Sequence, residues 1–182
     1  MFFNSLQFAY FLPIVFLLYW FMPNKSKTSQ NYILIIASYY FYSCWDWRFL
    51  FLLLFSTILV YFAALKIENS VSATSRKIWL WLTVIINLSF LGIFKYYDFF
   101  VSSFTDLING FGFHLNPYLI KLILPVGISF YTFHGLSYII DIYFKRIKAE
   151  HDFVDYSLFV SYFPLLVAGP IERPQNILYQ FR

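Results

Sequence analysis

The chain has 182 residues, of which 60% are hydrophobic and 12% charged, with a mean hydropathy of +0.65. Soluble domains carry roughly 25% charged residues, so this composition excludes a water-soluble globule and asks for lipid as the solvent. The formal charge of +4 comes from short basic clusters between apolar runs, which excludes a nucleic-acid module. The single cysteine, Cys44, excludes an internal disulfide and any multi-cysteine metal site.

A bilayer core about 30 Å thick takes about 20 apolar helical residues, fewer where the membrane thins. Leu6 to Met22 is the first such run. No Lys or Arg precedes it while Lys25 and Lys27 follow, the reverse of a signal peptide, so it is read as a retained span. Pro23 and Asn24 end it, and Pro13 inside it predicts a kink. Tyr32 to Trp45 and Phe49 to Leu65 follow as a helical hairpin turning at Asp46 to Arg48, and Ile78 to Phe94 is the fourth run.

Beyond Lys95, apolar residues mix with Asp98, Ser102, Ser103, Thr105, Asp106 and Asn109. This predicts a separate amphipathic helix lying at the interface and ending at Gly110 to Gly112. Tyr118 to Phe144 is a fifth long run, broken by Pro125 and Gly127. Phe153 to Ala168, interrupted by Pro164 and closed by Gly169 and Pro170, reads either as a span or as a re-entrant hairpin. The expected fold class is all-α, a polytopic transmembrane helical bundle of about five or six spans with an interfacial amphipathic helix. Residues 1–182 form one unit, with no repeat or linker to divide them.

Positive charge orients such a bundle. With the N-terminus outside, the cytoplasmic loops hold Lys25, Lys27, Lys66, Arg76, Lys77, Lys145, Arg146 and Lys148, eight of the 13 Lys and Arg. Trp20, Trp45, Trp47, Trp79 and Trp81 all fall near predicted span ends, as an interfacial aromatic belt does.

Polar residues inside apolar runs are the candidates for function, because an ionisable group at bilayer depth costs roughly 2.5–3.5 kcal/mol. On a helix His134, Ser137 and Asp141 fall on one stripe, with Tyr131 and Tyr138 beside it. The stripe either lines a ligand path or is structural, with Asp141 paired to Lys145 one turn on or reaching the surface. Pro125 and Gly127 free backbone groups that only protein or a wet cavity can satisfy. Pro170 and Pro174 bracket Glu172 and Arg173, a pair able to form a salt bridge at a membrane boundary. His114 and His151 read as solvated residues of polar connections, and Cys44 as a small residue near a helix end. No phosphate loop, zinc spacing or nucleophile elbow is present. The residues alone lead to a polytopic membrane protein with a polar intramembrane stripe.

Three segments carry a family resemblance. These are the opening Met1 to Phe8 with Phe11 to Trp20, the run Leu124 to Tyr143, and Tyr162 to Pro174. In this order they resemble the membrane-bound O-acyltransferases, in the bacterial branch of alginate O-acetylases and teichoic-acid D-alanyl transfer proteins. The resemblance implies an N-terminal portion of that family's membrane domain, with the catalytic histidine C-terminal to Arg182 and therefore no catalytic residue here. Related bacterial proteins often carry glutamine at the position of His134, which makes it a hydrogen-bonding wall residue. The resemblance further implies that Tyr131, His134, Ser137, Tyr138, Asp141, Glu172 and Arg173 form tunnel or scaffold.

It implies no metal and no tightly bound cofactor. The acyl donor would be acetyl-CoA or an acyl-carrier thioester on the cytoplasmic side, and the acceptor the hydroxyl of an exported or cell-surface polysaccharide. The site would lie in the bacterial inner membrane, beside other cell-envelope O-acetylation proteins. The alternative is a transporter or flippase, or a structural subunit of a polysaccharide export complex; both use broken helices and polar intramembrane residues without acyl chemistry.

Overall fold

The computed structural model describes residues 3–22, 26–112, 123–169 and 173–181. Among these residues every regular element is an α-helix. The elements are α1 (Leu6–Trp20), α2 (Lys27–Ser43), α3 (Trp47–Asn69), α4 (Ala73–Gly110), α5 (Ile128–Tyr143), α6 (Phe153–Ser161), α7 (Phe163–Ala168) and α8 (Pro174–Phe181).

Local chemistry sets most of the boundaries. Ser5, Asp46, Ser72 and Asp152 each accept a backbone N–H of the following turn, starting α1, α3, α4 and α6. The partly buried Asp46 carboxylate also binds the exposed Arg48 guanidinium at 2.7 Å, and that hydrogen bond holds its carboxyl below the usual carboxylate range. The cap is complete above that range and is lost only as the pH falls through the lowered value. Pro13 lies inside α1, which continues through it.

α5 is the centre of the bundle, packed against α3, α4, α6 and α7. Its buried residues Ile128, Tyr131, Tyr138, Ile139 and Ile142 meet Leu53, Val60, Ala63, Ala64 and Ile67 of α3 and Tyr156 and Phe159 of α6. Small residues let these helices approach: a Cβ at Gly135 would lie 3.2 Å from Val60 Cγ2. A second cluster, Phe11, Val15, Ala37, Phe41 and Phe163, joins α1 and α2 to α7.

α4 turns polar side chains inward and apolar ones outward. Along α4 the buried residues are Thr83, Asn87, Leu91 and Thr105, while Ile78, Trp81, Leu82, Ile85, Leu88 and Ile93 are exposed. Ser56 of α3 donates to Asn87 Oδ1, and Asn87 Nδ2 donates to the Thr83 carbonyl at 2.9 Å. Thr57, Thr83 and Ser38 bond back to the carbonyl four residues earlier. Apolar outside with self-satisfied polar groups inside is the arrangement lipid imposes. α3 and α4 are long and apolar enough to cross a membrane alone, and α1 is a shorter apolar helix.

One sequence expectation changes here. The interfacial helix expected after Lys95 is not separate, because α4 is one helix of 38 residues, about 57 Å at 1.5 Å per residue. Nothing between Lys95 and Asn109 breaks its hydrogen-bond ladder, and Gly92 has open space around it. Gly110 to Gly112 ends it as expected, with Gly112 at φ 88°. Of the five or six spans expected, α3 and α4 have full spanning length among the described residues, while α1, α2 and α5 have 15, 17 and 16 residues.

Phe153 to Ala168 is split at Tyr162 into α6 and α7, where the Phe163 N–H donates to Ser38 Oγ at 3.1 Å. α6 starts beside Asn31, whose Nδ2 donates to Asp155 and to the Phe181 carbonyl, each at 2.7 Å. α8 therefore ends beside the start of α6. At the start of α5 the chain turns as Pro125 and Gly127 suggested, Gly127 taking a left-handed φ of 77°. Residues 113–122 of the fifth run, including His114 and Lys121, lie outside the described residues.

Paired alanine substitutions check this packing. A Cβ at Gly127 would lie 2.5 Å from the Leu166 carbonyl oxygen on a left-handed backbone. Gly127→Ala should therefore destabilise by about 2–3 kcal/mol. Gly92→Ala, within α4 with nothing near, should stabilise by about 0.5–1 kcal/mol. Unfolding midpoints in one detergent measure both, and equal midpoints would refute the placement of α5 against α7.

Candidate functional site

The polar residues of α5 occupy the interior. Tyr131 and His134 are 1% exposed, Tyr138 is fully buried and Asp141 is 4% exposed. Their spacing of three, four and three residues follows the face that α5 turns toward α3 and α6. Ser137 lies off this face: it is partly exposed and donates to the His134 carbonyl at 2.9 Å. The stripe is thus Tyr131, His134, Tyr138 and Asp141.

Each member meets a different environment. Tyr131 sits beside Tyr42 of α2, hydroxyl near hydroxyl. The His134 ring packs on Phe159, centroids 5.6 Å apart. Tyr138 stacks obliquely on Tyr156 at 4.6 Å, and its hydroxyl accepts the Glu150 N–H at 2.7 Å. Asp141 pairs with Arg146 at 3.1 Å.

The partner of Asp141 is a correction, since the sequence offered Lys145. The end of α5 explains it. Lys145 takes a left-handed φ of 58°, its N–H reaching the Ile142 carbonyl at 2.9 Å while the Arg146 N–H reaches the Asp141 carbonyl at 2.8 Å. This is a Schellman cap with lysine where glycine is usual, and it swings Lys145 outward while bringing Arg146 back over the helix end. A non-glycine residue in that conformation costs about 1–2 kcal/mol.

Around this end the structure gathers groups that sequence reading left in loops. The Arg76 guanidinium donates to the Tyr143 carbonyl and lies over its ring, tying α4 to α5. Glu68 accepts the Ala149 N–H at 3.2 Å and sits 3.4 Å from His151, which is otherwise exposed. Glu150 accepts the N–H groups of His151 and Asp152. The Tyr61 hydroxyl donates to the His151 carbonyl at 2.6 Å. Glu68 and Glu150, each three positions outside a predicted span, were the available signal. The buried Tyr156 and Ser157 of α6 gave none, because hydroxyls within an apolar run read simply as span.

Arg173 is exposed and precedes α8, while Glu172 lies outside the described residues. Cys44 is exposed at the end of α2. It borders an apolar groove of about 760 Å³ between α1 and α2, which includes Tyr10, Phe11, Ile14, Ile36 and Tyr40 and does not reach the α5 stripe. Among the described residues no group of three or more His, Cys, Asp or Glu could hold a metal ion. The stripe as packed is buried within the bundle.

An all-helical bundle with polar contents and an apolar exterior defines an integral membrane protein, and comparison narrows the class. No family model and no solved structure matches the chain. The protein named "Probable alginate O-acetylase AlgI" of Pseudomonas aeruginosa is 41% identical over 184 residues, covering 100% of this chain and 34% of that protein. Its namesake in Azotobacter vinelandii is 39% identical, covering 100% of this chain and 36% of that protein. "Peptidoglycan O-acetyltransferase" of Helicobacter pylori is 34% identical over 208 residues, covering 99% of this chain and 38% of that protein. The chain spans about a third of the length of these curated relatives and aligns with their N-terminal part. By this similarity it belongs to the membrane-bound O-acyltransferase family.

The Asp141 pair yields a test of the wall. Fully buried pairs lose about 3–5 kcal/mol when broken and exposed ones about 0–1. Arg146 is half exposed, so Arg146→Ala should cost about 1–2 kcal/mol. Asp141→Leu should lower the yield of folded protein. Fluorescence-detected size exclusion reads both, and unchanged profiles would mean that the carboxylate is not held.

Proposed function

We propose that this chain is the N-terminal part of one membrane domain that transfers an acetyl group to hydroxyls of an exported or cell-surface polysaccharide. The observation that carries the reading is similarity along the whole chain to proteins named as O-acetylases of alginate and of peptidoglycan. Those names favour acyl transfer over transport or a purely structural role. Both name an exported glycan, while an activated acetyl group such as acetyl-CoA or an acyl-carrier thioester is a cytoplasmic donor. The domain then sits in the inner membrane between donor and acceptor, with further cell-envelope O-acetylation proteins as its partners.

The basic clusters support an orientation. Arg76 with Tyr143, Glu68 with Ala149, and Asn31 with Asp155 bring Lys27, Lys66, Lys77, Lys145 and Lys148 to one end of the bundle. That end faces the cytoplasm and the N-terminus faces outward. In this reading α1, α2 and α5 cross beside α3, their shorter lengths matched by local thinning of the bilayer.

Acyl transfer needs a base to take the acceptor hydroxyl's proton as its oxygen attacks the acyl carbonyl. His134, 1% exposed against Phe159, offers no approach to a substrate. Its role is the wall, and the base lies in the family's part beyond Arg182. In the full-length protein His134→Ala should lower acyl transfer by less than about tenfold, against the 10²–10⁴-fold typical of losing a general base. Loss of all activity in a well-folded His134→Ala protein would return the catalytic role to this residue.

Orientation has its own experiment. In a Cys44→Ser background, Ser72→Cys should resist an impermeant thiol reagent in intact cells, whereas Ser43→Cys should react. The reverse pattern overturns the orientation and leaves the enzymatic reading standing.

A further inference from the structure

The cytoplasmic end carries more positive charge than its acids neutralise. Lys66, Lys77, Lys145, Arg146 and Lys148 are exposed there, with Arg76 partly buried between α4 and α5. The carboxylates are committed to protein groups: Asp141 to Arg146, Glu68 to His151 and an amide, Glu150 to two amides, and Asp152 to the Val154 N–H. Among the described residues no ion pair includes Lys66, Lys77, Lys145 or Lys148. The α4 N-terminus, capped by Ser72 and without an acid in its first turn, opens onto the same end. Lys145 also keeps its charge in a backbone position where glycine would be relaxed, and such strain is commonly found at functional sites.

We propose that these residues form a phosphate-binding face for anionic phospholipid headgroups, with Lys145, Lys148, Lys66 and Lys77 as the cations. Lipid is the source because the face is bordered by exposed apolar side chains, Phe144 at 61%, Ile78 at 60% and Trp81 at 53%. Aromatic and apolar groups beside lysines mark headgroup level. A soluble phosphate ligand would have no use for that apolar rim. The inference rests on reading the chain as bilayer-spanning and is independent of acyl transfer.

The full chain, reconstituted in nanodiscs of phosphatidylcholine alone or with phosphatidylglycerol, gives the test. Phosphatidylglycerol should raise the unfolding midpoint and co-purify on transfer to detergent. Lys145→Gly should weaken phosphatidylglycerol binding about fivefold, one surface lysine's share, while raising the midpoint in phosphatidylcholine alone by relieving the left-handed strain. Lys145→Asn and Lys148→Gln should also lose affinity, the latter without the gain in neutral lipid. Undiminished phosphatidylglycerol binding by these variants overturns the site. Stabilisation by millimolar inorganic phosphate in phosphatidylcholine nanodiscs, equal to that given by phosphatidylglycerol, overturns the lipid assignment.

Discussion

A polar group held away from water must find its partner inside the protein, and the position of α5 depends on that requirement. In lipid the apolar side chains gain little by facing one another, so packing of small residues and internal hydrogen bonds must hold the helices together. α5 meets both demands. Gly127 lets its start pass against the Leu166 carbonyl, Gly135 accepts Val60, and Tyr138 and Asp141 find the Glu150 amide and Arg146. The same logic turns the Asn87 face of α4 inward and leaves Ile85 and Ile93 for the lipid.

The two ends of the bundle are built differently. At the end where α3 turns into α4, carboxylates cap backbone amides and arginines cover helix ends, so that the α3–α4 and α5–α6 connections are tied to each other. At the other end aromatic contacts dominate, Trp45 on Phe49 and Phe49 on Phe94. Beyond Phe94, α4 continues with Phe99, Phe100 and Phe104 largely exposed. Its 38 residues exceed what a bilayer core of about 30 Å needs.

The sequence was most legible where local rules act alone. Apolar runs, the turn at Asp46 and the breaks at Gly127, Pro164 and Gly110 each rest on helix propensity or a cap, and each has its counterpart in the structure. The inward face of α5 followed from periodicity, which is why Tyr131, His134, Tyr138 and Asp141 are buried together. What the sequence withheld is tertiary. Nothing in the order of residues says that polarity after Lys95 leaves α4 unbroken, because only a missing breaker signals continuity. Nor could spacing choose Arg146 over Lys145, since that choice follows from a lysine in a left-handed cap. Glu68 and Glu150 lie 82 residues apart in number and share a loop only because α3 and α5 pack side by side.

His134 brings these arguments together. An imidazole in an apolar run invites a catalytic reading, because polar groups at membrane depth usually mark function. Catalysis by proton transfer further requires a nitrogen within hydrogen-bond reach of a substrate atom and space for that substrate. His134 lies under Phe159, on the helix face that α3 and α6 cover, and the wide groove between α1 and α2 opens elsewhere. Its ring packs on Phe159, while Tyr138 and Asp141 on the same face are held by the Glu150 amide and Arg146. A transferase built on this bundle would therefore use α5 as the fixed wall against which a reacting centre contributed from elsewhere in the protein is positioned, and precision there depends on the wall's rigidity more than on its basicity.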